Sequence, residues 1–244
     1  MTFNGNISIK QTGHAMVHID KYDEDYLIPI PGAKVKGLFS GRPYPELGGT
    51  YHIISSTGLV SEITFSGTGF FSGSRNSFEA KIYQRDDKAK SPLYTARGQW
   101  NGKFTIHDGA NDNDIETCDL GTYQPAPLTI PDEAEQDSWE TRRAWKDVIQ
   151  ALKRGDMRGT VMEKSKLEEA QRALRRKEAA NGTPWQPLFF SPLQGNYPLF
   201  DGLASAVGWP LEKERTKGVW KVNREKAEHA EKLKPYHGIV TPMG

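Results

Sequence analysis

Between Asn6 and about Leu120 apolar residues recur at every second position, and turn-forming residues interrupt the pattern at short intervals. Ile7, Ile9 and Gln11 alternate with Ser8 and Lys10, and the run Lys34-Val35-Lys36-Gly37-Leu38-Phe39 alternates again. Leu59, Ile63 and Phe65 share a parity, as do Phe78, Ala80 and Ile82. A period of two in β-branched and aromatic residues marks strands with one face buried. Punctuation falls at Pro29 to Gly32, Gly48-Gly49, Ser66-Gly67, Ser72-Gly73, Asp86-Asp87 and Asn101-Gly102. The last separates Tyr94–Trp100 from Lys103–Ile106 and predicts a tight hairpin of the Asn-Gly type. Strands that follow one another through hairpins predict an antiparallel meander, closing as a β-barrel or packing as a sheet.

The second half obeys another period. Asp108 to Pro131 is polar and rich in Asp, Asn and Pro, and reads as a connection. Asp137 with Glu140 three residues on forms a capping box. Behind it Trp145, Val148, Ile149 and Leu152 make a helical stripe ending at Gly155. A further helix is expected from about Met162 to Ala180, stopped by Asn181-Gly182 and Pro184, with a narrow seam of Leu167, Ala170 and Leu174. Short helices are expected around Leu199–Val207 and Val222–Leu233. The fold class is therefore α+β, with residues 1–130 built from strands and residues 131–244 helical. No internal repeat is visible.

Composition excludes several classes. With 36% hydrophobic and 26% charged residues the chain reads as an ordinary globular protein. A net charge of +1 gives no overall field toward nucleic acid, so no nucleic-acid partner is expected. The single cysteine, Cys118, cannot form an internal disulfide and suits a reducing compartment. Its neighbours Glu116, Thr117 and Asp119 include no base that would activate a thiol. No run approaches the roughly 20 apolar residues of a membrane span, and Met1 to Lys10 is unlike a signal peptide. The expectation is a cytoplasmic protein that meets membranes only at their surface.

Catalysis needs convergent groups, and none converge here. His14 and His18 are four apart on a strand, about 13 Å along the chain and too far for one metal ion. Ser66-Gly67-Thr68-Gly69 is followed by no Gly-Lys-Ser/Thr and opens no helix, so it is not a phosphate loop. No Gly-x-Ser-x-Gly elbow occurs. No enzyme, cofactor or metal site is expected. The second helix is more informative. Lys164, Glu168 and Arg172 are spaced four and four, along one face, and Lys153 to Lys177 carries nine Lys or Arg against four Asp or Glu. Two cations flanking a carboxylate suit a phosphorylated polyol: the cations meet phosphate and the carboxylate accepts ring hydroxyls.

Many runs, in order, resemble the oxysterol-binding protein family, in particular its short yeast-type members. Lys10-Gln11-Thr12-Gly13-His14-Ala15-Met16 is similar to a family strand. Ser55-Ser56-Thr57-Gly58-Leu59, the stretch Ile63 to Gly73, Asn76-Ser77-Phe78, Ala80-Lys81-Ile82-Tyr83 and Gly98-Gln99-Trp100 continue the match. So do Glu140 to Trp145, Lys153-Arg154-Gly155-Asp156, Leu167 to Arg172 and Trp185-Gln186-Pro187. The resemblance implies an antiparallel barrel around an apolar tunnel, followed by C-terminal helices. It implies a non-enzymatic carrier that exchanges a sterol for phosphatidylinositol 4-phosphate between membranes. By position, Gln11 corresponds to a polar residue serving the sterol hydroxyl, and Ile7, Val35, Leu38, Pro43 and Pro45 to tunnel-wall positions. Lys164, Glu168 and Arg172 correspond to the phosphoinositide head-group contacts.

One departure matters. The family run Glu-Gln-Val-Ser-His-His-Pro-Pro is absent, and no His-His pair occurs. The N-terminal lid and first barrel strands have no counterpart, so the chain is expected to be a truncated domain with an incomplete barrel, monomeric only if completed. On this expectation the parent domain transfers lipid and the chain alone binds it weakly. The rival reading is an interaction module whose open strand edge pairs with a partner and which handles no lipid.

Overall fold

The computed structural model describes residues 2–3, 7–10, 13–39, 41–67, 75–192, 198–208 and 220–244. They fall into two compact units, residues 1–125 with 194–218, and residues 126–193 with 219–244.

The first unit is a succession of strands: β1 (Thr2–Phe3), β2 (Ile7–Ile9), β3 (His14–Ile19), β4 (Glu24–Pro29), β5 (Ala33–Lys36), β6 (Tyr44–Leu47), β7 (Gly49–Ser55), β8 (Leu59–Ser66), β9 (Ser77–Gln84), β10 (Tyr94–Gln99), β11 (Lys103–Asp108) and β12 (Asp114–Asp119). Among the described residues they form an eight-stranded sheet, in the order β12-β11-β10-β9-β8-β7-β4-β3, and a four-stranded sheet, β1-β2-β5-β6. Every neighbouring pair is antiparallel. The meander is as expected, and the larger sheet stays open, with β3 and β12 at its edges.

Register explains the core. Leu27 of β4 pairs with Ile54 of β7, Ile54 with Val60 of β8, and Val60 with Tyr83 of β9. Four side chains thus stand in one row across the sheet, all 4% exposed or less. Helix α4 (Pro198–Ala206) lays Leu203 and Ala204 over that row, and Met16 and Val207 pack at its margins. Burying each large apolar side chain contributes roughly 1.5–3 kcal/mol. The β4–β7 junction itself is short, since only Tyr26↔Ser55 and Leu27↔Ile54 pair there.

Two expectations need correction. The Asn101-Gly102 hairpin forms, but Trp100 to Gly102 connect the strands, and the turn closes through Gly102 N–H donating to Gln99 O at 3.1 Å. Neither Asn101 nor Gly102 has the positive φ of a type I′ turn; the left-handed residue is Gly98, at φ 149. A Cβ there would lie 2.5 Å from Lys103 O, so the position requires glycine. Second, Asp108 to Pro131 is not all connection: Asp114–Asp119 is the edge strand β12. An edge strand exposed on most of its length needs no apolar alternation, which is why it read as loop.

The second unit carries the remaining elements: α1 (Thr141–Ala144), α2 (Lys146–Lys153), α3 (Met157–Asn181), a hairpin of β13 (Phe190–Pro192) and β14 (Trp220–Val222), and α5 (Arg224–Glu228). The bonds expected of a capping box form in part, Glu140 Oε1 accepting from Asp137 N–H at 2.8 Å and Asp137 Oδ1 from Trp139 N–H at 2.9 Å, but they close a turn ahead of α1, whose own N-cap is Glu140 with no side-chain bond. The stripe expected as one helix breaks at Trp145, whose φ of −102 and ψ of 10 leave the helical basin. Helix α3 begins five residues before its expected start, because Asp156 caps it, its Oδ1 accepting from Gly159 N–H at 2.7 Å. It ends at Gly182, in the left-handed conformation at φ 64. The tail is tied down by Trp139 Nε1 donating to Val240 O at 2.7 Å and Gln171 Nε2 to Pro242 O at 2.5 Å.

Candidate functional site

The large sheet has two unlike faces, and register decides which residues share each. On the face opposite the α4-covered row, Tyr51, Ile63, Ala80, Ala96 and Ile106 pair in succession across β7 to β11. Two residues further along each strand, Phe65 pairs with Phe78, Phe78 with Gly98, and Gly98 with Phe104. The rings form a chain: Tyr51 to Phe65 at 6.0 Å, Phe65 to Phe78 at 6.5 Å and Phe78 to Phe104 at 5.5 Å. All of these side chains are half-buried. A continuous apolar surface of this kind can shield a rigid apolar molecule from water, at about 25 cal/mol per Å² removed.

The small sheet carries three of the other expected residues. Ile7 pairs with Val35 and Val35 with Pro45, so three of the expected wall residues stand in one cross-strand row. Pro45 is tolerated because β6 is an edge strand. Leu38 and Pro43 lie in the connection from β5 to β6; Leu38 is half-buried, while Pro43 and Pro45 are exposed. Gln11 lies outside the described residues, as do Thr12 and the part of the quoted stretch from Thr68 to Gly73. The sheets meet through specific groups. Gly32 N–H donates to the Tyr51 hydroxyl at 2.8 Å. A Cβ on Gly67 would fall 2.0 Å from the Glu46 carboxylate carbon, so a side chain there would displace the buried Glu46 carboxylate. Glu46 is itself 5% exposed and paired with Lys36.

Sequence reasoning missed a polar row on the α4 face. His52, Glu62 and Lys81 pair across β7, β8 and β9, one step from the buried apolar row. Glu62 takes hydrogen bonds from His52 at 3.2 Å, Lys81 at 3.1 Å and Lys90 at 3.1 Å. Burial alone would raise its pKa; the bonds from Lys81, Lys90 and His52 outweigh this and bring the carboxyl down to about 2. Nothing local in the sequence signals such a cluster, because it depends on the register of three strands. Among the described residues no group of three His, Cys, Asp or Glu side chains is set to hold a metal ion.

Helix α3 gathers the other expected residues. Lys164 Nζ lies 2.6 Å from Glu168 Oε1, and Arg172 donates to Glu168 Oε2 at 3.2 Å. Lys164, first, and Arg172 hold the Glu168 carboxyl below its ordinary value. All three side chains are exposed, so the trio presents two cations drawn toward one carboxylate and open to an anionic ligand. No described helix is long and apolar enough to cross a membrane.

Comparison with known proteins returns one family. The model described as oxysterol-binding protein matches residues 1–150 and 146–231. A probable transporter, efuK, of Hormonema carpetanum is 44% identical over 247 residues, covering 99% of this chain and 35% of its own length. The protein kes1 of Schizosaccharomyces pombe is 37% identical over 192 residues, covering 77% and 49%. The chain thus spans about a third to a half of the length of these relatives. Among solved structures, the Osh1 ORD domain in complex with cholesterol superposes with a TM-score of 0.57 at 17% identity, over 91% of this chain and 54% of that one. The Osh3 ORD of Saccharomyces cerevisiae in complex with PI(4)P gives 0.55 at 17%, over 86% and 59%. At that identity the likeness is one of fold.

Proposed function

This chain belongs to the oxysterol-binding protein family, and from that premise we propose that it carries part of a lipid-transfer device for a sterol and phosphatidylinositol 4-phosphate. The observation that carries the reading is the α3 trio, two cations bridged by one carboxylate at 2.6 and 3.2 Å. In the proposal Lys164 and Arg172 take the phosphate of the inositol head group, and Glu168 accepts its hydroxyls. The apolar surface of Tyr51, Ile63, Phe65, Phe78 and Phe104 lies against the ligand's apolar body, with Ile7, Val35, Leu38, Pro43 and Pro45 as further wall and Gln11 as partner of the sterol hydroxyl. A buried hydroxyl left unpaired would cost about 1–3 kcal/mol, which is why a wall of this kind needs one polar residue. The cargo is moved, not chemically altered, and the carrier works in the cytoplasm, touching membrane surfaces transiently. Solved relatives support the ligand classes, one bound to cholesterol and another to PI(4)P.

The test is extraction of a fluorescent sterol from liposomes, with and without phosphatidylinositol 4-phosphate. Competition by the phosphoinositide should weaken roughly tenfold in Lys164→Ala and in Arg172→Ala, as loss of one hydrogen bond between charged groups predicts. Equal competition in wild type and both variants would sink the assignment of the trio. A second reading is favoured by the open edges β3 and β12: an interaction module that adds a partner strand. On that reading the chain ignores both lipids, and its fold is stabilised by a protein partner.

A further inference from the structure

The corner between α2 and α3 gathers apolar side chains that face water. Leu152 is 56% exposed, Met157 63%, Val161 63% and Met162 53%. Elsewhere α3 buries its apolar residues in the ordinary way, with Leu167 at 6%. At 100° per residue, Met157, Val161, Lys164, Glu168 and Arg172 fall on one ridge of the helix, opposite the buried Gly159 and about 100° round from the buried Leu167. The ridge is therefore apolar over its first turn and ionic beyond it. Val161 and Lys164 are three residues apart, about 5 Å along the axis.

Charge surrounds the apolar end. Lys153, Arg154 and Arg158 are exposed at the same corner. Glu163 is paired with Lys166 at 2.7 Å, and Asp156, which accepts from Gly159 N–H at 2.7 Å, sets one negative charge against these three cations. The corner is also held in shape, by Gly155 in the left-handed conformation at φ 72 and by the Asp156 cap. A fixed knuckle of exposed Leu, Met and Val side chains, ringed by surplus cations, has the make-up of a segment that lies in a membrane interface.

We propose that this corner docks on an anionic bilayer, with Leu152, Met157 and Val161 entering the head-group boundary and Lys153, Arg154 and Arg158 meeting lipid phosphates. Docking needs no cargo. Its consequence rests on the lipid-carrier reading: the same ridge that enters the membrane continues into the trio of Lys164, Glu168 and Arg172, so docking delivers that trio to the level of a protruding head group.

The experiment is flotation of the whole chain with phosphatidylcholine vesicles and with vesicles that also contain phosphatidylserine, both free of sterol and phosphoinositide. The chain should bind the phosphatidylserine vesicles and be released by salt. Met157→Gln combined with Val161→Gln should weaken this binding roughly tenfold while leaving the circular dichroism spectrum unchanged. A polarity-sensitive dye on Val161→Cys, in a Cys118→Ser background, should shift to the blue on phosphatidylserine vesicles. Wild type and the double variant binding alike, no vesicle binding at all, or a dye that still reports water in the bound protein would each overturn the proposal. Failure of the carrier reading looks different: vesicle docking survives, and neither sterol nor phosphoinositide is extracted.

Discussion

Glu62 shows how one side chain can hold three strands. His52, Lys81 and Lys90 converge on its carboxylate, which is 20% exposed. Lys90 reaches it from a left-handed backbone at φ 52, and its own pKa is raised by the hydrogen bond to Glu62. Because the folded pKa, about 2, lies below the ordinary value of 4.5, the cluster's contribution is complete above the unfolded value and is lost as pH falls through the folded one. Glu62→Gln should therefore lower the free energy of unfolding by about 1–2 kcal/mol near pH 7, a figure reduced for partial exposure. The gap between wild type and variant in urea titrations should close as pH approaches 2. A gap that stays constant into strong acid would mean that the cluster is not charged as described. Neither partner in such a cluster is recognisable singly: His52, Glu62 and Lys81 each read as an unremarkable strand residue until register sets them side by side.

At the scale of elements, α3 depends on its first cap. Asp156 satisfies the Gly159 amide, and Gly159 in turn must lack a Cβ, which would sit 2.1 Å from Asp156 Oδ2. Asp156→Ala should cost about 1 kcal/mol, typical for a lost N-cap. Hydrogen exchange at Gly159 and Thr160 should quicken, and helix content should fall slightly. Unaltered exchange there would show that the cap is dispensable. How far the elements could be read from sequence follows from how local their causes are. The hairpin at Asn101, the stop at Gly182 and the spacing of Lys164, Glu168 and Arg172 depend on neighbours within a turn, and were legible. The early start of α3 was missed because its first turn, Met157 to Thr160, has no apolar face to bury. The break at Trp145 and the edge strand β12 are decided by tertiary context, which no local pattern carries.

For the whole molecule, the open sheet has consequences for association. Its edge strand β3 exposes Val17 at 41% and Ile19 at 37%. A charge placed there blunts strand addition. Val17→Lys should lower light scattering of concentrated protein and leave the unfolding midpoint unchanged; equal scattering would place self-association elsewhere. The apolar face opposite α4 was only half legible for a related reason: parity revealed that Phe65 and Phe78 belong to buried faces, but not that Tyr51 and Phe104 extend the same chain of rings. Ile7, Val35 and Pro45, expected as wall positions from family resemblance alone, stand in one cross-strand row that spacing could not have shown. A last point concerns time. The strands from β7 to β12 pair with sequence neighbours and can assemble as they leave the ribosome, whereas the hairpin of β3 and β4 is joined to them through two residue pairs and the cover of Leu203 and Ala204. Those two residues are made about 175 positions after the hairpin, and contacts across such separations form slowly. The hairpin is thus secured late, and until α4 emerges it rests on its short junction with β7.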